Sequence, residues 1–320
     1  MKHKHFFYKL IFAVLLLSIS KISLAITCSY GDSGQIRPNV PYYNFGTVLV
    51  QRDTPVGTAL KSVTLNYGAP GRVLGCTTSW TETGKMTLFT TLSGINNVFN
   101  TNLNGVGIKL DTTYSTFNYT YYAAGNDYIG TASNITATLI KTSSGAVSGG
   151  SLTTGLFATQ YVGESPGYHI DLGIGSSNII PVACSITTPY LNFPIGDVLA
   201  SSFGSSVGTV PAGAQNTQNL GLNCDYGANI NVSLSGTQNP DVGITSVLAL
   251  TNQGSADVAK GVGVQILYNG SPLILNNRIV LKTSSGGQET FPITARYYQT
   301  KTTVTTGKAN ASATLNLTYQ

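Results

Sequence analysis

The last fourteen residues constrain this chain more than any other stretch. In Gly307–Gln320, Ala309, Ala311, Ala313, Leu315, Leu317 and Tyr319 alternate with Asn310, Ser312, Thr314, Asn316 and Thr318. A period of two places the first set on one face of an extended strand and the second on the other. A strand at the end of a sequence frays unless something pairs with it. The segment therefore calls for a neighbour.

The opposite end reads as an export signal. Lys2, Lys4 and Lys9 precede an apolar run from Leu10 to Ile19, and Ser23-Leu24-Ala25 offers small residues for cleavage after Ala25. That run is about half the roughly 20 apolar residues a spanning helix needs. Residues 1–25 are thus expected to be a signal peptide and the mature chain to be exported.

Export changes the charge reading. Of 17 basic residues, four lysines (Lys2, Lys4, Lys9 and Lys21) fall in the leader, leaving 13 against 12 acidic residues, a net charge of +1. No basic stripe points to nucleic acid. Charged residues make up only 9% of the chain, with abundant Gly, Ser, Thr and Asn. Together with the recurring alternation, this favours an all-β protein with many turns over a low-complexity chain.

Cys28, Cys76, Cys184 and Cys224 all follow the leader. An even number in an oxidising compartment argues for disulfides. Of the three connectivities, Cys28–Cys76 with Cys184–Cys224 is favoured because each pair stays within one half of the chain. Closing a loop of about 40 residues stabilises by about 4 kcal/mol in the chain-entropy account. The competing zinc reading lacks a CxxC spacing, and His169 is the one histidine after the leader. No metal or cofactor is expected.

A mature length of about 295 residues suggests two domains. Gly173–Val182, rich in glycine and serine before a proline, is expected to be the linker. The expected domains are then residues 26–172 and 183–320. A faint repeat supports two related units: GVGIKL begins at Gly105 and GVGVQI at Gly261, the same 156-residue spacing that separates Cys28 from Cys184. The C-terminal half reads as strands throughout. Val262, Val264 and Ile266 alternate in one segment, and Phe291, Ile293, Ala295 and Tyr297 in another, with turn residues Asn269-Gly270 and Asn276-Asn277 between. Two immunoglobulin-like β-sandwiches are the expected fold.

Cys184, Cys224, AKGVGVQIL (Ala259–Leu267), FPITARYYQT (Phe291–Thr300) and the terminal GKANASATLNLTYQ stand in this order. The series resembles the subunit domain of chaperone–usher fimbriae of the type 1 kind, over about Ile180 to Gln320. The resemblance implies an incomplete sandwich that lacks its last strand. A periplasmic chaperone, and later the donor strand of an adjacent pilin subunit, would fill the gap after passage through an outer-membrane usher. About five missing apolar side chains, at roughly 1.5–3 kcal/mol each, amount to about 10 kcal/mol. Whole domains are stable by only about 5–15 kcal/mol, so this domain alone is expected to be unstable. Ala309, Ala311, Ala313, Leu315, Leu317, Tyr319 and Gln320 would form the chaperone and donor-strand interface, with Tyr319 and Gln320 at the anchor. The alternative is an ordinary terminal strand in a complete sandwich.

A polymerising subunit of such a fibre carries a strand-like extension before its first cysteine. Here Ile26 and Thr27 alone separate the expected cleavage site from Cys28. The resemblance therefore implies a tip adhesin, exported through the periplasm to the end of a fimbrium. Its N-terminal domain would bind a host glycan or matrix protein. The alternative is a structural capping subunit that binds nothing specific. On VLVQRDTPVGTAL (Val48–Leu60), the N-terminal half is more similar to type 3 fimbrial adhesins than to the mannose-binding type 1 adhesin.

Ligand candidates come from residue chemistry, because sugar sites pair aromatic faces with amide and carboxylate side chains. Trp80, near Glu82 and Arg72, is one candidate; Tyr122, Asn126, Asp127 and Tyr128 form another. In the tyrosine-rich run, Phe117, Tyr119 and Tyr121 are expected to pack inward, with Tyr114, Asn118 and Tyr122 outward. The bland alternative is that these aromatics are core and cross-strand pairs. An enzyme is not expected. His169 and Asp171 share a strand face, but no nucleophile motif, zinc motif or phosphate loop accompanies them.

Overall fold

The structure, a computed structural model, describes residues 28–30, 40–66, 72–112, 116–125, 128–130, 134–163 and 165–320. The expected signal peptide lies outside these residues. The described chain is all-β, with one turn of 3₁₀ helix at Ala200–Ser202.

The first half opens with β1 (Cys28–Tyr30), β2 (Tyr42–Tyr43), β3 (Gly46–Gln51), β4 (Ala59–Asn66) and β5 (Arg72–Cys76). It continues with β6 (Trp80–Met86), β7 (Phe99–Asn100), β8 (Val106–Thr112), β9 (Tyr119–Ala123) and β10 (Tyr128–Gly130). Then come β11 (Asn134–Lys141), β12 (Gly150–Ser151), β13 (Gly155–Val162), β14 (Ser165–Ile174) and β15 (Ser177–Val182). The order β4-β11-β8-β7 makes one layer and β2-β14-β13-β6-β9 another. The inward residues of both belong to one apolar cluster, in which Ile108, Ile135 and Leu139 meet Trp80, Phe157 and Leu172. The Tyr43 hydroxyl donates across the layers to the Ile135 carbonyl at 3.1 Å. Two smaller sheets, β1-β5-β10 and β12-β15-β3, complete this half.

The second half comprises β16 (Cys184–Ile186), β17 (Gln215–Cys224), β18 (Asn229–Ser235) and β19 (Val262–Tyr268). It ends with β20 (Ser271–Pro272), β21 (Arg278–Thr283), β22 (Gly287–Gln299) and β23 (Thr314–Tyr319). Sheets β16-β17-β22-β19-β20 and β21-β18-β23 enclose a second apolar cluster. The alternation at Phe291, Ile293 and Ala295 becomes the buried face of β22, which lies between β17 and β19. Disulfides join Cys28 to Cys76 and Cys184 to Cys224, each across directly opposed strand positions.

The stretch expected as a linker, residues 173–182, is built into sheets. Gly173 and Ile174 end β14, and β15 pairs in parallel with β3 from Ser177↔Gly46 to Val182↔Gln51. Burial of Ser177, Ile179 and Val182 outweighs the glycine and serine content on which a linker was expected. Pro181 is tolerated because β12 pairs only with Asn178 and Ile179, so no ladder bond is lost on that side. Ile179 belongs to the first core and Val182 to the second, so the chain crosses between cores within one strand.

The repeated GVG motif has a shared local cause. Gly105 and Gly261 adopt φ of +84° and +77°, and each leads directly into a strand. Side chains rarely tolerate that conformation.

Two separate cores imply separable stability. Phe157 is fully buried and meets Tyr43 edge-on at 5.8 Å. Phe157→Ala should cost the N-terminal half about 3–5 kcal/mol in chemical denaturation, while near-ultraviolet signals from the C-terminal core keep their midpoint.

Candidate functional sites

The aromatic candidates separate by depth. Trp80 lies on β6, between β13 and β9, and is 1% exposed, so it presents no face to a ligand. Its inward direction follows from the strand pattern, in which Trp80, Glu82 and Met86 all face the core. Tyr122 is 76% exposed on β9, an edge strand. Asn126 and Asp127 lie outside the described residues. Tyr128 pairs with Gly75, beside Cys76, and so sits in the small disulfide-bearing sheet.

Of the residues expected to pack inward, Phe117 is buried and Tyr119 partly so, but Tyr121 is 50% exposed. Asn118, just before β9, adopts φ +68°, and its Oδ1 accepts from the Met86 amide at 2.8 Å. The edge position of β9 leaves its inner face half covered. Tyr121 leans edge-on against Trp80 at 6.3 Å, while Tyr122, the next residue of the strand, points to the opposite face and is exposed.

Opposite Tyr121 lies a buried carboxyl group. Glu82 is 6% exposed and accepts from the Tyr119 hydroxyl at 2.7 Å and from the Gln160 amide. Burial raises its pKa, and these two hydrogen bonds oppose the rise without cancelling it.

The C-terminal half carries a groove of about 1070 Å³. Leu191, Phe193 and Ile195 line one side, Ala309, Ala311, Leu315 and Leu317 the other, and Val264, Ile266 and Ile293 the floor. The first side alternates like a strand, with Leu191, Phe193 and Ile195 half-buried, yet residues 187–199 join no sheet among the described residues. The second side leads into β23, which pairs with β18 and ends its sheet. Two extended segments thus face each other across an apolar trough.

At the far end of β23, the turn between β3 and β4 meets the strand. The Tyr319 amide donates to Asp53 Oδ2 at 2.9 Å, the Asp53 amide donates to the Tyr319 carbonyl at 3.0 Å, and Gln320 Nε2 donates to the Asp53 carbonyl at 3.1 Å. Arg52 makes a two-pronged ion pair with Asp53 and stacks over the Tyr319 ring at 4.7 Å. Burial works against the Asp53 carboxylate, but the bonds from Arg52 and Tyr319 outweigh it and hold its pKa below the ordinary value. Lys141, fully buried, donates to the carbonyls of Arg52 (2.6 Å) and Gly145 and so fixes the turn from beneath. Gln51 donates to the Gly227 carbonyl at 2.7 Å and accepts from the Asn229 amide at 2.9 Å.

Residues 175–320 match the family described as fimbrial protein, and residues 42–173 match the MrkD-like receptor binding domain. The C-terminal half is a fimbrial protein domain, and the N-terminal half a MrkD-like receptor binding domain. It is 27% identical over 293 residues to a fimbria adhesin protein of Klebsiella pneumoniae, covering 86% of this chain and 89% of that one. Long polar fimbria protein A of Salmonella typhimurium is 38% identical over 100 residues, which are 30% of this chain and 54% of that one. The crystal structure of the receptor binding domain of the plasmid-born adhesin MrkD1P of Klebsiella pneumoniae aligns over 50% of this chain and 99% of its own. The sequence identity there is 20% and the TM-score 0.39. Both matches and this relative place the chain among adhesive components of surface fimbriae.

The groove-lining residues of the terminal segment were legible from their alternation. The opposite side at Leu191–Ile195 was missed, although the same period-two signal is present there. The role of Arg52 and Asp53 was also missed, because contacts 266 residues apart leave no local pattern.

Glu82 gives a test of the N-terminal site. Its raised pKa means that the folded state holds a proton the unfolded chain releases above about pH 4.3. This contribution to stability is complete below that pH and is lost as pH rises through the folded pKa. Glu82→Gln should therefore raise the unfolding midpoint of the N-terminal half at pH 7.5 and leave it unchanged at pH 4, as read by Trp80 fluorescence.

Proposed function

We propose that this chain is a fimbrial tip adhesin whose C-terminal domain is completed by a strand from a partner, while its N-terminal domain holds the receptor. The observation that carries this reading is the apolar groove between two extended segments. Residues 187–199 and the outer edge of β23 each lack a sheet partner among the described residues. An inserted strand would satisfy backbone groups on both sides and cover Leu315 and Leu317. Family membership supplies the class of partner: a periplasmic chaperone during export, an outer-membrane usher, then the donor strand of an adjacent subunit. Tyr319 and Gln320, just past the free positions of that edge, are proposed as the chaperone anchor through the end of the strand and not through further strand pairing.

For the receptor, a host glycan or matrix protein, the exposed Tyr121 and Tyr122 favour adhesion over the alternative of a non-adhesive cap. Aromatic faces on a rigid strand bury ligand area at low entropic cost.

A synthetic strand peptide with alternating valine and threonine tests the first part. At a hundredfold its Kd it should stabilise the C-terminal core of the exported chain by about 2.7 kcal/mol. Stability unaffected by peptide at any concentration would remove the reading. Tyr319→Asp should abolish co-purification with the chaperone. For the receptor, Tyr121→Ala and Tyr122→Ala, made separately, should lower cell or matrix attachment by up to about tenfold for the residue that carries the contact, an aromatic contact being worth about 0.5–1.5 kcal/mol beyond its buried area. Unchanged attachment would move the receptor site elsewhere.

A further inference from the structure

The turn at Arg52 and Asp53 does something that completion by a partner strand does not by itself require. Asp53 takes both the amide and the carbonyl of Tyr319. Both groups of Tyr319 therefore point away from β18. In an antiparallel ladder successive residues alternate between the two edges. Leu317 and Leu315, two and four positions back, thus turn their own amides and carbonyls to the same outer edge as Tyr319, where neither has a backbone partner among the described residues. The outer edge of β23 consequently offers a run of free positions that ends at Tyr319, where the N-terminal domain already occupies it.

We infer that Asp53 is a register stop for the complementing strand: a partner's extended apolar segment pairs with β23 up to Leu317 and is halted there by the turn. The inference rests on the donor-strand reading and adds to it where the strand ends. Three observations carry it. Asp53 already makes, with one residue, the kind of bridge an incoming strand would make, so the edge is competent for pairing at that level. The turn is held by several independent contacts: the Lys141 ammonium beneath it, the Arg52 ion pair within it, and the Gln51 contacts to Gly227 and Asn229 beside it. Tyr319 itself is buried, its ring between Arg52 and the second core and its hydroxyl on the Cys184 carbonyl at 3.2 Å. A side chain arriving opposite Tyr319 would have to displace all of this. Groove length alone would let a strand slide by two residues without exposing its apolar face, and a fixed end removes that freedom.

Residue-resolved amide exchange on the full exported chain tests this, with a lysine-flanked peptide of alternating valine and threonine longer than the edge itself. Without peptide, the Tyr319 and Asp53 amides should be protected and those of Leu315 and Leu317 should exchange quickly. With peptide, Leu315 and Leu317 should slow by about tenfold or more, while Tyr319 and Asp53 stay as they were. In Asp53→Ala the Tyr319 amide should exchange quickly alone and become protected by the peptide, because the strand can now advance. If peptide binding to the wild type accelerates exchange at Asp53, the strand displaces the turn, and the register stop is wrong while strand completion stands. If no peptide slows Leu315 or Leu317, the donor-strand reading falls and the stop falls with it.

Discussion

Much of this molecule follows from one requirement: the backbone of β23 needs hydrogen-bond partners on both sides and has a sheet neighbour on one. β18 takes the groups at Thr314, Asn316 and Thr318, and the alternation of an antiparallel ladder sends those of Leu315, Leu317 and Tyr319 outward. Buried unpaired groups of this kind are costly. The chain answers at one position, through Asp53, and leaves the rest open beside an apolar trough. Among the described residues, the outer edge of β23 is therefore occupied where it touches the N-terminal half and has no sheet partner beyond it.

The contact at Asp53 in turn depends on a buried charge. Among the described residues no carboxylate bonds the Lys141 ammonium, which is solvated by main-chain carbonyls of the turn and of Gly145. Burial lowers its pKa, and the charge of Asp53 works in the opposite direction. A cation so placed gives the turn little freedom, because any shift strands either the ammonium or the carbonyls. The two halves are joined through β15, which belongs to the first sheet system while its last residue enters the second core, through Gln51 bonded to Gly227 and Asn229, and through the end of the chain held by the turn after β3.

The N-terminal domain uses its aromatic residues in layers. Trp80 fills the core, Glu82 is enclosed by Tyr119 and Gln160, and Tyr121 and Tyr122 remain at the edge. Residue type alone could not sort them, since all stand on strands of similar composition. Depth was decided by which strand lies central in its sheet and which lies at its rim. The same distinction explains why the aromatic candidates scattered: Trp80 went inward, Tyr122 outward, and Tyr128 to a different sheet.

Period-two alternation determined the all-β class, the strands of β19, β22 and β23, and the apolar face that lines the groove, because side-chain direction in a strand depends only on position parity. Cysteine number and placement narrowed the disulfides to three pairings, and proximity along the chain favoured the one that the fold makes. Tertiary structure decided the rest. Glycine and serine at 173–182 suggested a linker, yet the buried face of Ser177, Ile179 and Val182 made a strand. Val48–Leu60 carried only a loose resemblance, and folding turned its Arg52 and Asp53 into the clasp on Tyr319. Such contacts join residues far apart in sequence, where no local period or propensity records them, and they exist only once both cores have formed.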